Sequence, residues 1–297
     1  MVELGRLLTA MVTPLDAEGN VDWGQTKRLA NGLIDSGSDG IVVGATTGEG
    51  PTLSFDEKLR LWGEAKAAIG GRGAVVANTG NYSTSESIEM SRQAEEAGVD
   101  GLLLVVPYYN KPPQEGIYQH FKAIAKATHL PCILYNIPGR TGVKMSKETT
   151  IRVSQVDNIV GVKDATEDFE LMASVIEESA PGFNIWSGND SDTFPLLCLG
   201  GYGVICVISN LYARQMKGLI NLTIAGKLKE AAAEHRRLLP VAKGMTGIAS
   251  NPIPIKYSMN KLGFNVGNPR LPLVPPDSAM AEKIDGMLKD YAPDLPI

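Results

Sequence analysis

The chain is poor in the residues that most often announce a site. Its 297 residues include only three cysteines and three histidines. Cys132, Cys198 and Cys206 fit neither a disulfide framework nor the paired spacing of a zinc site. Each lies in an apolar stretch, so buried free thiols in a reducing compartment are expected. His120, His129 and His235 are scattered, none at ligand spacing with a carboxylate, and no metal site is expected. No serine or cysteine stands beside a paired base. Basic runs are also lacking: 28 Lys and Arg face 33 Asp and Glu, a formal charge of −5, which argues against a nucleic-acid partner. No segment approaches the ~18 apolar residues of a membrane span. The apolar run 7–12, ahead of Thr13-Pro14, is short for a signal peptide and has no small-residue cleavage site. These absences predict a soluble, cytoplasmic protein that engages neither nucleic acid nor membrane.

What is present is a rhythm. Short β-rich runs at 7–12, 40–44, 74–78, 101–106, 132–136, 159–163, 184–187 and 204–208 alternate with stretches of helical period. In one of these, Phe55, Leu59, Trp62, Ala65 and Ile69 make a single apolar stripe. Ser54 and Glu57 form a capping box before it, and Ser83 and Glu86 repeat that box one unit later. Gly37, Gly98 and Gly200 each end a helical stretch and precede a strand, as a left-handed helix terminus requires. Strand–helix alternation implies a parallel sheet with helical crossovers. Eight units of about 25–30 residues favour closure over a doubly wound sheet. The first strand leads into Thr13-Pro14-Leu15-Asp16, not a glycine-rich phosphate fingerprint, and the dinucleotide reading fails. The expected fold is a (β/α)8 TIM barrel over residues 1–226. Residues 227–297 form a C-terminal helical extension, interrupted by Pro252, Pro254, Pro269, Pro272, Pro275 and Pro276.

In such a barrel the chemistry lies at the C-terminal ends of the strands. Lys163 closes the apolar run Ile159-Val160-Gly161-Val162. Burial there would favour the neutral amine, which can attack a carbonyl and open Schiff-base catalysis. A pairing with Asp164 or Glu167 would make the same lysine structural. Tyr135 could shuttle protons for that amine or simply fill a barrel layer. Thr46 and Thr47, between Gly44 and Gly48, could cradle a carboxylate or belong to an ordinary loop. Arg140 offers a fork for a second carboxylate, or is a solvated surface residue. Tyr108 and Tyr109 could equally be interface aromatics.

Taken together, Gly44-Ala45-Thr46-Thr47-Gly48-Glu49, Pro107-Tyr108-Tyr109-Asn110, Tyr135-Asn136-Ile137-Pro138-Gly139-Arg140-Thr141-Gly142 and Gly161-Val162-Lys163-Asp164-Ala165-Thr166 resemble the dihydrodipicolinate synthase / N-acetylneuraminate lyase family of class I aldolases. The likeness runs along nearly the whole chain. It implies that Lys163 binds pyruvate, that Tyr135 donates and accepts protons, and that Thr46 and Tyr109 complete a proton relay. Tyr109 would reach in from a neighbouring subunit. Thr47 and the Ile205 backbone match pyruvate-contacting positions, and Gly188 and Asn189 fall in a segment lining the same pocket. The resemblance further implies a homotetramer built as a dimer of dimers, and no metal or organic cofactor. The arginine in Tyr-Asn-x-Pro-x-Arg-Thr-Gly resembles the synthase branch, in which it holds the carboxylate of L-aspartate-4-semialdehyde; the expected reaction condenses that aldehyde with pyruvate. One departure stands out. Phe55, Lys58 and Tyr82 occupy positions where lysine-inhibited members carry histidines and an asparagine, although Tyr108 and Glu86 fit, so feedback by lysine is expected to be weak or absent. Two other readings stay open: a different pyruvate-dependent aldolase, such as a sialic-acid or keto-sugar-acid lyase, and a barrel that only binds ligand.

Overall fold

The computed structural model describes residues 3–296. Eight strands form the barrel: β1 Leu7–Ala10, β2 Gly40–Val43, β3 Ala74–Asn78, β4 Gly101–Val105, β5 Cys132–Asn136, β6 Ile159–Asp164, β7 Asn184–Ser187 and β8 Gly203–Cys206. Each pairs in parallel with its sequence neighbours, and β1 pairs with β8 to close the ring. The expected (β/α)8 fold is present, with strand ends shifted at several positions. Met11 and Val12 are apolar and buried but lie beyond β1. The run expected at 204–208 pairs as Gly203–Cys206, so β8 starts one residue earlier and ends two residues sooner.

Side-chain alternation sorts the core into two shells. Leu8, Ala10, Val42, Val76, Leu103, Ile133, Trp186 and Ile205 fill the barrel interior. The alternate residues, such as Leu7, Ile41, Val75, Leu102 and Leu134, pack outward against the helices. The helix Phe55–Ile69 shows how one crossover is specified. Its capping box is complete, with Ser54 and Glu57 bonded reciprocally, and Trp62, Ala65 and Ile69 are buried beneath it. Phe55, counted in the apolar stripe, is instead 41% exposed because it opens the helix beyond the edge of the core. The second capping box is half formed. Ser83 Oγ accepts from Glu86 N, but the Ser83 amide donates to Asn81 Oδ1, so the Glu86 carboxylate binds the Asn81 amide instead. Gly37, Gly98 and Gly200 adopt the positive φ their positions predicted. Cys132 and Cys206 are buried free thiols, as expected, whereas Cys198 is exposed. It ends the short helix Thr193–Cys198, where Leu199 and Gly200 also reach solvent. No helix among the described residues is long and apolar enough to cross a membrane.

Beyond β8 the helices Ser209–Ile224, Leu228–Gly247, Ile253–Lys261 and Ser278–Leu288 follow. Pro254 stands in the first turn of its helix, where a missing N–H costs nothing. Lys256, in the middle of this helix, has no solvent exposure. Its ammonium donates to Glu49 Oε1 at 2.7 Å, to the Thr13 carbonyl at 3.1 Å and to the Asn268 carbonyl at 3.2 Å. Three acceptors satisfy three donors, the condition under which a buried charge is tolerated. Lys256→Met strands the Glu49 carboxylate, and chemical denaturation should show a loss of about 3–5 kcal/mol. Adding Glu49→Leu should restore part of it, and an unchanged midpoint in the single variant would show the pair to be inert.

Candidate active site

The barrel's register brings the first two candidates together. Tyr135 of β5 pairs directly with Lys163 of β6, and Lys163 with Trp186 of β7. All three therefore point into the barrel at one level near its C-terminal end. Gly161, two residues before Lys163, faces the same way. A Cβ there would fall 2.6 Å from the Trp186 ring, so only glycine lets the indole form the floor beneath the lysine.

Lys163 is 5% exposed, and its Nζ lies 4.1 Å from the centroid of the Tyr135 ring. The amine meets the ring face rather than the hydroxyl. Burial pulls its pKa from 10.5 to about 8, against the pull of the Asp190 and Cys206 side chains and with help from the Arg140 charge. The pairing that would have made this lysine structural does not form. Asp164 points to the opposite face of β6, where it accepts from the Thr166 amide and hydroxyl and from the Asn136 amide. Burial raises the Tyr135 phenol well above its usual range, so it stays protonated and can donate at neutral pH.

A cavity of about 240 Å³ opens over this level, with Thr46, Lys58, Tyr108, Tyr135, Arg140 and Thr141 among its walls. Arg140 is exposed on the one-turn helix Pro138–Thr141, with its charge felt at both Tyr135 and Lys163. The loop after β2 presents half-buried Thr46 to the cavity. Lys163, behind Tyr135, and Thr47, Ile205, Gly188 and Asn189 lie off the cavity wall. Thr47 is 3% exposed and accepts a hydrogen bond from Asn251 Nδ2 at 2.9 Å. Ile205 is buried among the inward residues of β8. The Gly188 amide donates to the Asp164 carbonyl at 2.6 Å, and a Cβ at Gly188 would sit 2.7 Å from that of Ala165. Asn189 gives one side-chain N–H to Asp192 Oδ2 at 2.9 Å.

Tyr109 is not brought to the site within its own chain. It is 89% exposed at the tip of the β4 loop, with φ at +67°, a conformation that an aromatic residue rarely adopts. Such a ring, held out from the surface by the backbone, is available to a second copy.

Three further residues shape the site region, none of them given a role by the sequence. Asp190 is fully enclosed, accepts from the Val207 and Ile208 amides, and acts electrostatically on Lys163. Burial raises its pKa against those donors. Its position after the seventh strand, beside Gly188 and Asn189, was the signal. Asn251 and Lys256 reach the loop after β2 from more than 200 positions away. The signal for Lys256 was a lysine in the apolar run Ile253-Pro254-Ile255, the same cue that singled out Lys163.

A parallel barrel open at the C-terminal end of its strands, above a desolvated amine, is the architecture of a class I aldolase-type lyase. Comparison with known proteins narrows this. Residues 3–291 match the dihydrodipicolinate synthetase family, and the chain belongs to that family. A 4-hydroxy-tetrahydrodipicolinate synthase of Dehalococcoides mccartyi is 54% identical over 297 residues, covering 100% of both chains. The solved dihydrodipicolinate synthase of Bacillus anthracis superposes with a TM-score of 0.95 at 42% identity, over 98% of this chain and 99% of that one. That of Cyanidioschyzon merolae, solved with lysine bound, also gives 0.95, at 40% identity over 97% and 98%.

Proposed function

We propose that this chain is a 4-hydroxy-tetrahydrodipicolinate synthase, condensing pyruvate with L-aspartate-4-semialdehyde on the route to diaminopimelate and lysine. The observation that carries this reading is the desolvated amine of Lys163, in no ion pair among the described residues and set against Tyr135. Its lone pair adds to C2 of pyruvate, and Tyr135 hands a proton to the departing water as the imine forms. Loss of a C3 proton gives the enamine, which adds to the aldehyde carbon. The amino group of the adduct then displaces Lys163 as the ring closes, and the enzyme is regenerated. Thr46 relays protons from the cavity wall, and Tyr109 joins it from a second copy. Thr47, the Ile205 backbone and the segment of Gly188 and Asn189 hold pyruvate, while Arg140 receives the carboxylate of the aldehyde at the cavity mouth. The catalytic barrel spans residues 1–226 and the C-terminal helical region 227–297. The working form is a cytoplasmic homotetramer, a dimer of dimers.

Borohydride trapping with pyruvate, followed by peptide mass spectrometry, tests the core of this proposal. The adduct is expected on Lys163, and turnover is expected with L-aspartate-4-semialdehyde but not with N-acetylmannosamine. The reverse preference would move the chain to another pyruvate aldolase, and an unmodified Lys163 would refute the Schiff-base mechanism.

Lysine is expected to be a poor inhibitor. Lys58 and Tyr108 line the cavity, Tyr82 is exposed and meets the Tyr108 ring edge-on, and Phe55 is exposed. Burial lowers the Lys58 pKa, and Glu86 opposes that shift. A free lysine ammonium entering here meets a resident one, and like charges repel. Steady-state rates should be unchanged by micromolar lysine, and inhibition in that range would overturn the expectation.

A further inference from the structure

The C-terminal region reaches the loop after β2 at three points. Lys256 binds Glu49 Oε1, the Arg270 amide donates to Glu49 Oε2 at 2.7 Å, and Asn251 Nδ2 donates to Thr47 Oγ1 at 2.9 Å. Glu49 itself has φ at +55°, so the loop turns back at the residue the clamp holds. The Asn251 contact carries directional information. Asn251 is 8% exposed, Thr47 is 3% exposed, and Asn251 Oδ1 is buried without a partner. Reversing the amide would leave the two N–H donors of the buried NH2 without the Thr47 acceptor. An orphaned carbonyl is tolerated more readily than orphaned N–H groups, which favours the observed orientation. With its acceptor side taken by Asn251, the Thr47 hydroxyl has a proton to give. No acceptor for it exists among the described residues.

We propose that Asn251 is a positioning residue for pyruvate binding: it fixes the Thr47 hydroxyl as a donor, aimed at the substrate carboxylate rather than at the protein. The inference rests on the assignment of Thr47 as a pyruvate contact. It gives the C-terminal region a part in substrate recognition.

The test exploits an isostere. Asn251→Asp keeps the shape but accepts where Asn251 donates, so the Thr47 proton turns toward position 251 and away from substrate. We expect the KM for pyruvate to rise about tenfold or more, the scale of a lost hydrogen bond to a charged group. kcat should stay within about threefold and the aldehyde KM should not move. Thr47→Val should raise the pyruvate KM comparably, and Asn251→Asp should add nothing further in that background. Should Asn251→Asp lose its thermal transition, Asn251→Ala makes the same test without a buried charge. An unchanged pyruvate KM in the folded variants, or full additivity with Thr47→Val, overturns the positioning role. A parent protein that forms no borohydride adduct with pyruvate refutes the pyruvate assignment as well; one that does form it, beside a variant of unchanged KM, refutes the role of Asn251 alone.

Discussion

Lys163→Met should abolish borohydride trapping and lower the turnover rate by roughly 10⁴-fold or more, the scale on which removal of a covalent nucleophile acts. The same substitution should make the protein more stable. Burying an amine without a partner lowers its pKa from 10.5 to about 8. At pH 7 that shift corresponds to roughly 3 kcal/mol spent on keeping the charged form in a dry site. Methionine is of similar length, flexible and apolar, so it removes the cost without leaving a large cavity. The sign is set by linkage. A lysine with a depressed folded pKa is unfavourable at neutral pH, and the penalty fades as pH rises through 8 toward 10.5. The gain in denaturation midpoint should therefore be largest near pH 7 and small near pH 10. Loss of activity together with higher stability is a result that misfolding cannot produce. In the unmodified enzyme, kcat/KM for pyruvate should climb about tenfold per pH unit as the amine loses its proton, then level off near pH 8. A rise that continued to pH 10 would mean that Lys163 is not desolvated in solution.

Tyr135→Phe carries the second large effect. It keeps the ring under the amine and deletes only the hydroxyl. That hydroxyl makes no hydrogen bond among the described residues, and its loss should leave the thermal midpoint almost unchanged. Proton transfer to the departing water should suffer instead, with kcat falling about 10²–10⁴-fold. Single-turnover trapping separates the steps, because imine formation on Lys163 should become slow yet still reach completion with long incubation. Wild-type trapping kinetics would remove Tyr135 from the relay and leave it as packing.

The two lysines show how far a sequence can be read. Lys163 and Lys256 both interrupt apolar runs, and nothing local distinguishes them. Their difference is the partner: Glu49 and two carbonyls surround Lys256, whereas Lys163 meets an aromatic face. Only the folded chain shows which of them is paired with a carboxylate and which is left against an aromatic ring. Strands were legible where polar or proline residues bracket them, as Pro131 and Asn136 do for β5. They blurred where buried apolar residues continue past the hydrogen-bonded ladder, as Met11 and Val12 do after β1. The motifs between Thr46 and Lys163 were visible because each lies at or just past the C-terminal end of a strand. Asn251 was not, since its link to Thr47 spans 204 positions and depends on how the last helices dock. Tyr109 was named as a reaching residue from its resemblance alone, and its backbone now supplies a physical reason for its exposure.

The clamp on the loop after β2 also bears on the order in which the enzyme comes into being. A ribosome releases the chain from its N-terminus, and early segments can pack before later ones emerge. All eight strands, Lys163 included, are synthesised before Asn251, Lys256 and Arg270 leave the tunnel. Until then Thr47 lacks its amide donor and Glu49 its ammonium. On the proposed roles, a nascent barrel would carry Lys163 before Thr47 has been set to receive a carboxylate. The stretch from Asn251 to Arg270, on those same roles, completes the site after the barrel strands have already been made.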